Sequence, residues 1–494
     1  RWFGHAHAGL WAVEDAQTPD GVLRDSRFHD NSMALAGGLR LGGTHELRLR
    51  WQRMRANDVG IPGGASFPAM ASARYPDEER EMFLGEYRSG PLRRPVRGVS
   101  LRYALQNIAR NVEIIPNAAV TLRPSADHEM HSVQLMGNFH AGAHQLVAGI
   151  DAWQRSYRGI RLRDIAASRT TIADLPLPNA RFRAIGAFVQ DDVSMFDARL
   201  RLSFGGRLDG IHIENDEGYD LQYVITDGVR TDAPANRQLR WTAEEANELS
   251  WSAHTGLLYQ LTHRIGMSFN ASHAFRAPSL EERYQFIELG GATYLGDPDL
   301  AAEQGSMLDL GLRIHGERLA VRTNVFMRFL DNLVVDAQVS DTLYRKENVG
   351  EAQMRGVELH GEYNVLSAMT AYLTLAYVRG EDTGNDRDLP QMPPLSGRAG
   401  LRVPLRSLAE VSIFASFAAD QDAVAPGEDR TPGHALFHLR LRSLPRRVAG
   451  MGVQLIAGVH NVLDRSWRRH LSTLRGLVIT EPGRNMYLRL RLYW

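Results

Sequence analysis

The chain has 494 residues, 57 Lys+Arg against 57 Asp+Glu, no cysteine, and 44% hydrophobic residues at a mean hydropathy of −0.30. Balanced charge argues against a nucleic-acid binder. Without Cys there is no disulfide framework, thiolate catalysis or Cys-based metal site, and no run of ~18 apolar residues occurs that would make a transmembrane helix.

A two-residue alternation recurs along the whole chain. It predicts strands near 3–13, 28–41, 44–57, 79–90, 99–113, 129–140, 143–154, 180–194, 198–207, 248–261 and 263–275. It continues near 305–314, 319–336, 352–365, 369–380, 394–404, 409–420, 433–444, 451–463 and 485–494, about twenty strands in all. The last is the clearest. Met486, Leu488, Leu490, Leu492 and Trp494 fall on one face, and Asn485, Tyr487, Arg489, Arg491 and Tyr493 on the other.

The predicted connections are of two kinds. Gly42-Gly43 and 315–318 are tight turns, whereas 58–78, 156–178, 214–246, 276–303, 338–350, 381–393 and 421–432 are long and rich in Gly, Pro and acids. Short turns at one rim, long loops at the other, and strands apolar on one face and polar on the other describe an all-β, antiparallel transmembrane β-barrel of the outer-membrane kind. Closing the sheet also removes the edges that a long alternating sheet could not leave open. No heptads and no fixed-period repeat argue for another architecture.

Four segments carry a more specific likeness. Phe275-Arg276-Ala277-Pro278 is followed by Ser279, Glu282 and Tyr284, and Gly296-Asp297-Pro298-Asp299-Leu300 by Glu303. Asn348, Gly350 and Ala352 precede Gly356 and Glu358, and Val459-His460-Asn461-Val462-Leu463-Asp464 leads to the Pro482-Gly483-Arg484 ending and its terminal Trp494. In this order and spacing they resemble a TonB-dependent outer-membrane receptor of the siderophore and iron-complex group. Read from the residues alone, these boxes are structural: prolines that fix where strands end, and a glycine at a close backbone approach.

The resemblance implies a 22-stranded barrel filled by a globular plug. It also implies active uptake of a scarce large nutrient, in first place a ferric siderophore, driven by the TonB-ExbB-ExbD complex. Cobalamin, heme or a copper complex are the alternative cargoes, and a plugless porin-like channel or structural outer-membrane protein is the alternative function. The chain opens at Arg1 directly on a predicted strand. The expectation is therefore that the plug and the first one or two barrel strands belong to a longer receptor. Lipid bilayer and lipopolysaccharide are the implied surroundings, and no resident cofactor is called for.

Ligand-binding candidates sit in two long loops: Phe67, Met70, Arg74 and Tyr75 in the first, Tyr284, Phe286 and Tyr294 in the later one. Aromatic rings beside an arginine suit an iron chelate through stacking and charge, although the same rings can simply pack the loops. His128 and Met130 share a strand face, an imidazole and a thioether that suit copper, but His131 lies on the other face and two ligands do not make a site. A heme receptor of this kind is expected to carry a His between the two Pro boxes. Residues 279–296 contain none, and His273 is the nearest. Catalysis finds no support: there is no G-x-S-x-G, H-E-x-x-H or P-loop.

Overall fold

The period-two pattern becomes a continuous antiparallel wall in a computed structural model that describes residues 1–62, 71–289, 291–366, 369–472 and 480–493. Phe67, Met70 and Trp494 lie outside the described residues. The wall begins with β1 (Trp2–Val13), β2 (Phe28–Leu41), β3 (His45–Gly60), β4 (Ser72–Ser89) and β5 (Val96–Asn117). It continues through β6 (Val120–Ala141), β7 (His144–Ile165), β8 (Ala180–Met195), β9 (Leu200–Asn215) and β10 (Glu244–Thr262). Next come β11 (Ile265–Arg276), β12 (Glu303–His315), β13 (Leu319–Ser340), β14 (Leu343–Leu366) and β15 (Met369–Asp382). The last five are β16 (Ser396–Leu405), β17 (Ala409–Ala418), β18 (His434–Ser443), β19 (Met451–His460) and β20 (Asn485–Tyr493).

Each strand from β1 to β19 pairs antiparallel with the next in sequence. Short strands in the loops extend the sheet to 27. The wall curls round on itself. The hairpin after β1 meets the segment before β20: the Gly483 N–H donates to the Gln17 carbonyl at 2.9 Å, and Asp20 accepts from Ser466 at 3.2 Å and Thr480 at 2.7 Å. The connections at the loop ends of the first and last strands thus come together in space, as a barrel requires.

The two faces of the wall have opposite chemistry. Leu35, Leu49, Ile150, Ile185, Leu208, Val325, Ile413 and Leu490 all point outward and are exposed, and such a surface is stable only against lipid. The inward face carries ion pairs, among them Arg207 with Asp151 at 2.6 Å and Arg102 with Glu86 at 2.9 Å. Among the described residues no helix is long and apolar enough to cross a membrane.

Strand identities follow the alternation, but the loop-side ends do not. The expected loop 156–178 is strand through Ile165 and again over Thr170–Asp174, and the expected loop 338–350 is a hairpin tip, with β13 ending at Ser340 and β14 starting at Leu343. The strand expected at 129–140 begins at Val120. Beyond the membrane both faces of a strand are polar, so the ladder continues where the alternation has stopped. Hydrophobic packing of the usual kind is concentrated where the 277–302 connection folds back onto the inside of β7, β8 and β9: Leu280 and Tyr284 pack with Tyr157, Phe182, Ile211 and Ile213.

Candidate functional site

The loop end of the barrel is organised by the two Pro boxes. Arg276, the last residue of β11, reaches Glu303 at 2.5 Å and Glu282 at 2.8 Å, clamping both ends of the 277–302 connection. Ser279 caps the one helical turn, Leu280–Tyr284. The Glu282 N–H donates to Ser279 Oγ at 3.2 Å, and the Ser279 N–H donates to the Glu282 carboxylate at 2.8 Å, a reciprocal capping box. Glu281 crosses the interior to pair with Arg155 on β7. Burial, the largest single influence, pushes its carboxyl up, but the hydrogen bond and charge of Arg155 together with smaller contributions hold it below the ordinary value. A Cβ on Gly296 would stand 2.6 Å from the Arg283 backbone, so the second box lies directly against the first.

The other motif residues stitch the wall. Phe275 packs against the buried cluster and Pro278 is fully buried, while the Pro298 carbonyl accepts from Arg283. Asn348 donates to the Asn332 carbonyl at 2.6 Å and accepts from the Ala301 N–H at 2.9 Å, fastening the end of the loop to β13 and β14. At Gly356 a Cβ would enter the Phe326 ring, whereas at Gly350 it would meet open space. Glu358 is exposed on β14. Asn461 has φ +48° and is 3% exposed. Its side chain closes the turn after β19 by donating to the Arg465 carbonyl at 2.8 Å and accepting from the Arg465 N–H at 2.9 Å.

The ligand candidates do not converge on one place. Arg74 is engaged by Asp58 at 2.9 Å and Glu113 at 2.8 Å, and the Tyr75 ring lies 5.6 Å from the Arg110 guanidinium. Tyr284 is 2% exposed inside the loop–wall junction. Phe286 lies 3.7 Å under the guanidinium of Arg240, which is buried against its preference for water. Tyr294 stacks on Tyr344 at 5.0 Å in a cleft of about 600 Å³ shared with Lys346, Asp336, Glu428 and Asp429. His128 receives a hydrogen bond from Arg155 at 3.1 Å and packs against Tyr157. Met130 is half-buried on the same strand. No group of three or more His, Asp or Glu that could hold a metal occurs among the described residues.

A second cleft, of about 490 Å³, was not anticipated from the sequence. Arg398, Ser416 and His434 of β16, β17 and β18 line one side, and Trp467, Arg468 and Arg469, from the segment after β19, line the other. Trp467 packs on His434 at 4.7 Å and lies 5.4 Å from the Arg469 guanidinium. The run Trp467-Arg468-Arg469-His470 was its only signal in the chain, and its partners lie on strands read solely as wall. This cleft joins three guanidinium groups to aromatic surface, whereas the Tyr294 cleft carries three carboxylates and one lysine. A third depression, about 780 Å³ between Val133, Ile185 and Leu249, opens on the lipid-facing side of the wall.

A twenty-stranded wall with a lipid-facing exterior, a charged interior and elaborate loops on one rim defines a membrane β-barrel whose inside is a passage or a gate. The sequence matches the family described as TonB dependent receptor-like, beta-barrel over residues 9–462, and the chain belongs to that family. It is 22% identical over 275 residues to the heme/hemopexin utilization protein C of Haemophilus influenzae, a match covering 47% of this chain and 36% of that protein. It is 24% identical over 280 residues to the TonB-dependent heme receptor A of Haemophilus ducreyi, covering 48% of this chain and 37% of that one. The matched region is thus little more than a third of either relative's length. Among solved structures, the copper transporter OprC superposes over the whole chain with a TM-score of 0.82 at 18% identity, covering 76% of that protein. The unliganded ferric citrate transporter FecA gives 0.75 at 16% identity, over 99% of this chain and 73% of that one.

Proposed function

We propose that this chain is the wall and extracellular rim of a TonB-driven outer-membrane importer whose cargo is an anionic metal chelate, a ferric siderophore in first place. The observation that carries the reading is the cleft of Arg398, Arg468, Arg469, Trp467 and His434. Its guanidinium groups meet the carboxylate, catecholate or hydroxamate oxygens of a chelate, and the indole face covers its organic part. A barrel this wide leaks unless gated. The proposal therefore includes a plug contributed by the longer receptor, and coupling to TonB-ExbB-ExbD through it. The reading is one of binding and transport rather than catalysis.

Heme is the second reading. The two curated relatives carry heme in their names, and His434 and His470 line the same cleft. The test is growth of a deletion strain under metal starvation, with ferric siderophores, heme or copper supplied singly. Loss of growth on one ferric chelate, restored by the wild-type gene and not by an Arg468→Gln/Arg469→Gln double variant, is the expected result. Unchanged growth on every source, together with steady conductance of the purified protein in planar bilayers, replaces the importer with an open channel.

A further inference from the structure

Directly below the cationic cleft, two imidazoles meet. His438 on β18 and His460 at the loop end of β19 face the barrel interior and share a hydrogen bond between their Nδ1 atoms at 3.0 Å. The pair is held from three sides. The Phe414 ring stacks on His438 at 4.6 Å and 16°, and Tyr487 stacks on His460 at 5.1 Å and 17°. Ser416 Oγ lies 2.8 Å from His438 Nε2, and the Asn461 N–H points at His438 Nδ1 from 3.4 Å. His460 is exposed while His438 is 8% exposed, so the pair is approached from one direction only. Ser416 also lines the cleft above, which makes the two sites continuous.

We propose that His438 and His460 form a two-imidazole docking station at which a metal chelate with two open coordination positions is held after it leaves the rim cleft. The proposal rests on the importer reading given above. Three observations carry it. First, the spacing: with metal–nitrogen bonds of about 2.0 Å, two ligands of one ion stand about 2.8 Å apart in a square arrangement, about 3.3 Å in a tetrahedral one and about 4 Å when opposite each other. At 3.0 Å the pair matches neighbouring positions on one ion and cannot clasp a metalloporphyrin from its two faces. Second, the ring orientation: Ser416 Oγ, 2.8 Å from His438 Nε2, can accept that nitrogen's N–H and so leave Nδ1 as the coordinating atom once a metal displaces its hydrogen bonds to His460 Nδ1 and the Asn461 N–H. A ligating histidine is commonly oriented in this way by the bond its other nitrogen makes. Third, the charge: Arg398 lies 5.2 Å from the Phe414 ring and Arg440 stands two residues beyond His438 on the same face. Two guanidinium groups disfavour a bare dication and favour one already wrapped in carboxylates. The pair therefore selects a complexed metal over the free ion.

The probe is Cu(II)–nitrilotriacetate, which carries one net negative charge and two free neighbouring positions. It is titrated into the receptor purified in detergent and followed by electron paramagnetic resonance. A His5→Gln background removes a second histidine pair on one strand face, His5 and His7 on β1. The expected result is one copper per chain with two-imidazole coupling, lost in both His438→Ala and His460→Ala. Arg398→Gln should weaken the chelate severalfold and strengthen the aquo ion, a reversal that a merely structural hydrogen bond would not produce. Ser416→Val, which keeps both imidazoles, should weaken the chelate about tenfold. Heat-modifiable migration in gels confirms that each variant is folded. Copper signals identical in wild type and all four variants overturn the station, as does an Arg398→Gln effect of the same sign on chelate and aquo ion. Because this assay is made in detergent without transport, a station that binds in a receptor importing nothing refutes the importer alone. Import unaffected by His438→Ala refutes the station alone.

Discussion

Leu280→Ala tests whether the two Pro boxes act as one docked unit. Leu280 has no exposed surface and sits between Tyr284, Phe182 and Ile213, at the one place where the loop has a hydrophobic footing. Truncating a fully buried Leu to Ala costs about 2–5 kcal/mol, depending on how far the surroundings collapse. If only the 277–302 connection opens, its open population rises roughly thirty- to several thousand-fold, because each 1.4 kcal/mol is a factor of ten. Hydrogen exchange in detergent reads this directly. The Gly296 N–H bonded to the Gln285 carbonyl at 2.8 Å and the Asp297 N–H bonded to the Glu282 carbonyl at 3.0 Å should exchange faster by that factor. Amides of the β7–β8 ladder should not change. Uniform acceleration across loop and wall would show that the junction is not a separable unit. No acceleration at Gly296 would show that the ion pairs of Arg276 and Arg155 hold the loop without the hydrophobic contact.

Acid should release the same loop. Glu281 and Glu282 both titrate below the ordinary carboxylate value of 4.5, burial pushing each up and the hydrogen bonds and charges of Arg155 and Arg276, with backbone N–H groups, together pulling each below it. Their contribution is complete above pH 4.5 and is lost as pH falls through the folded values, so exchange at Gly296 relative to the wall should rise only below about pH 4.5. Two glycines of one motif should behave oppositely. Gly356→Val places side-chain atoms in the Phe326 ring and 2.5 Å from the Tyr377 carbonyl and should lower thermal stability by about 1–3 kcal/mol, while Gly350→Ala should leave it unchanged in the same melting experiment. On the lipid face, Leu208→Arg should cost about 2–4 kcal/mol in folding equilibria measured in lipid vesicles, which a soluble environment for that face would not produce.

The alternation of Met486, Leu488, Leu490 and Leu492, and of its counterparts along the chain, was enough to define a transmembrane β-wall. In a barrel strand each side chain meets either lipid or the interior, and that choice is written residue by residue. Turn chemistry such as Gly42-Gly43, with φ values of +55° and +77°, was equally legible. Strand ends on the loop side were not, because Val120–Glu129 and Ser156–Ile165 do not alternate apolar with polar, and their ladder continues through backbone pairing with each other. The site was hidden for a related reason. His438 and His460 lie 22 positions apart, and Arg398 and Trp467 lie 69 apart. On their own strands His438, His460 and Arg398 each read as one polar interior residue among many, and Trp467 as one residue of a connection. What brings them together is the stagger between β16, β17, β18 and β19, which is set by backbone pairing across four strands and has no local trace in the sequence.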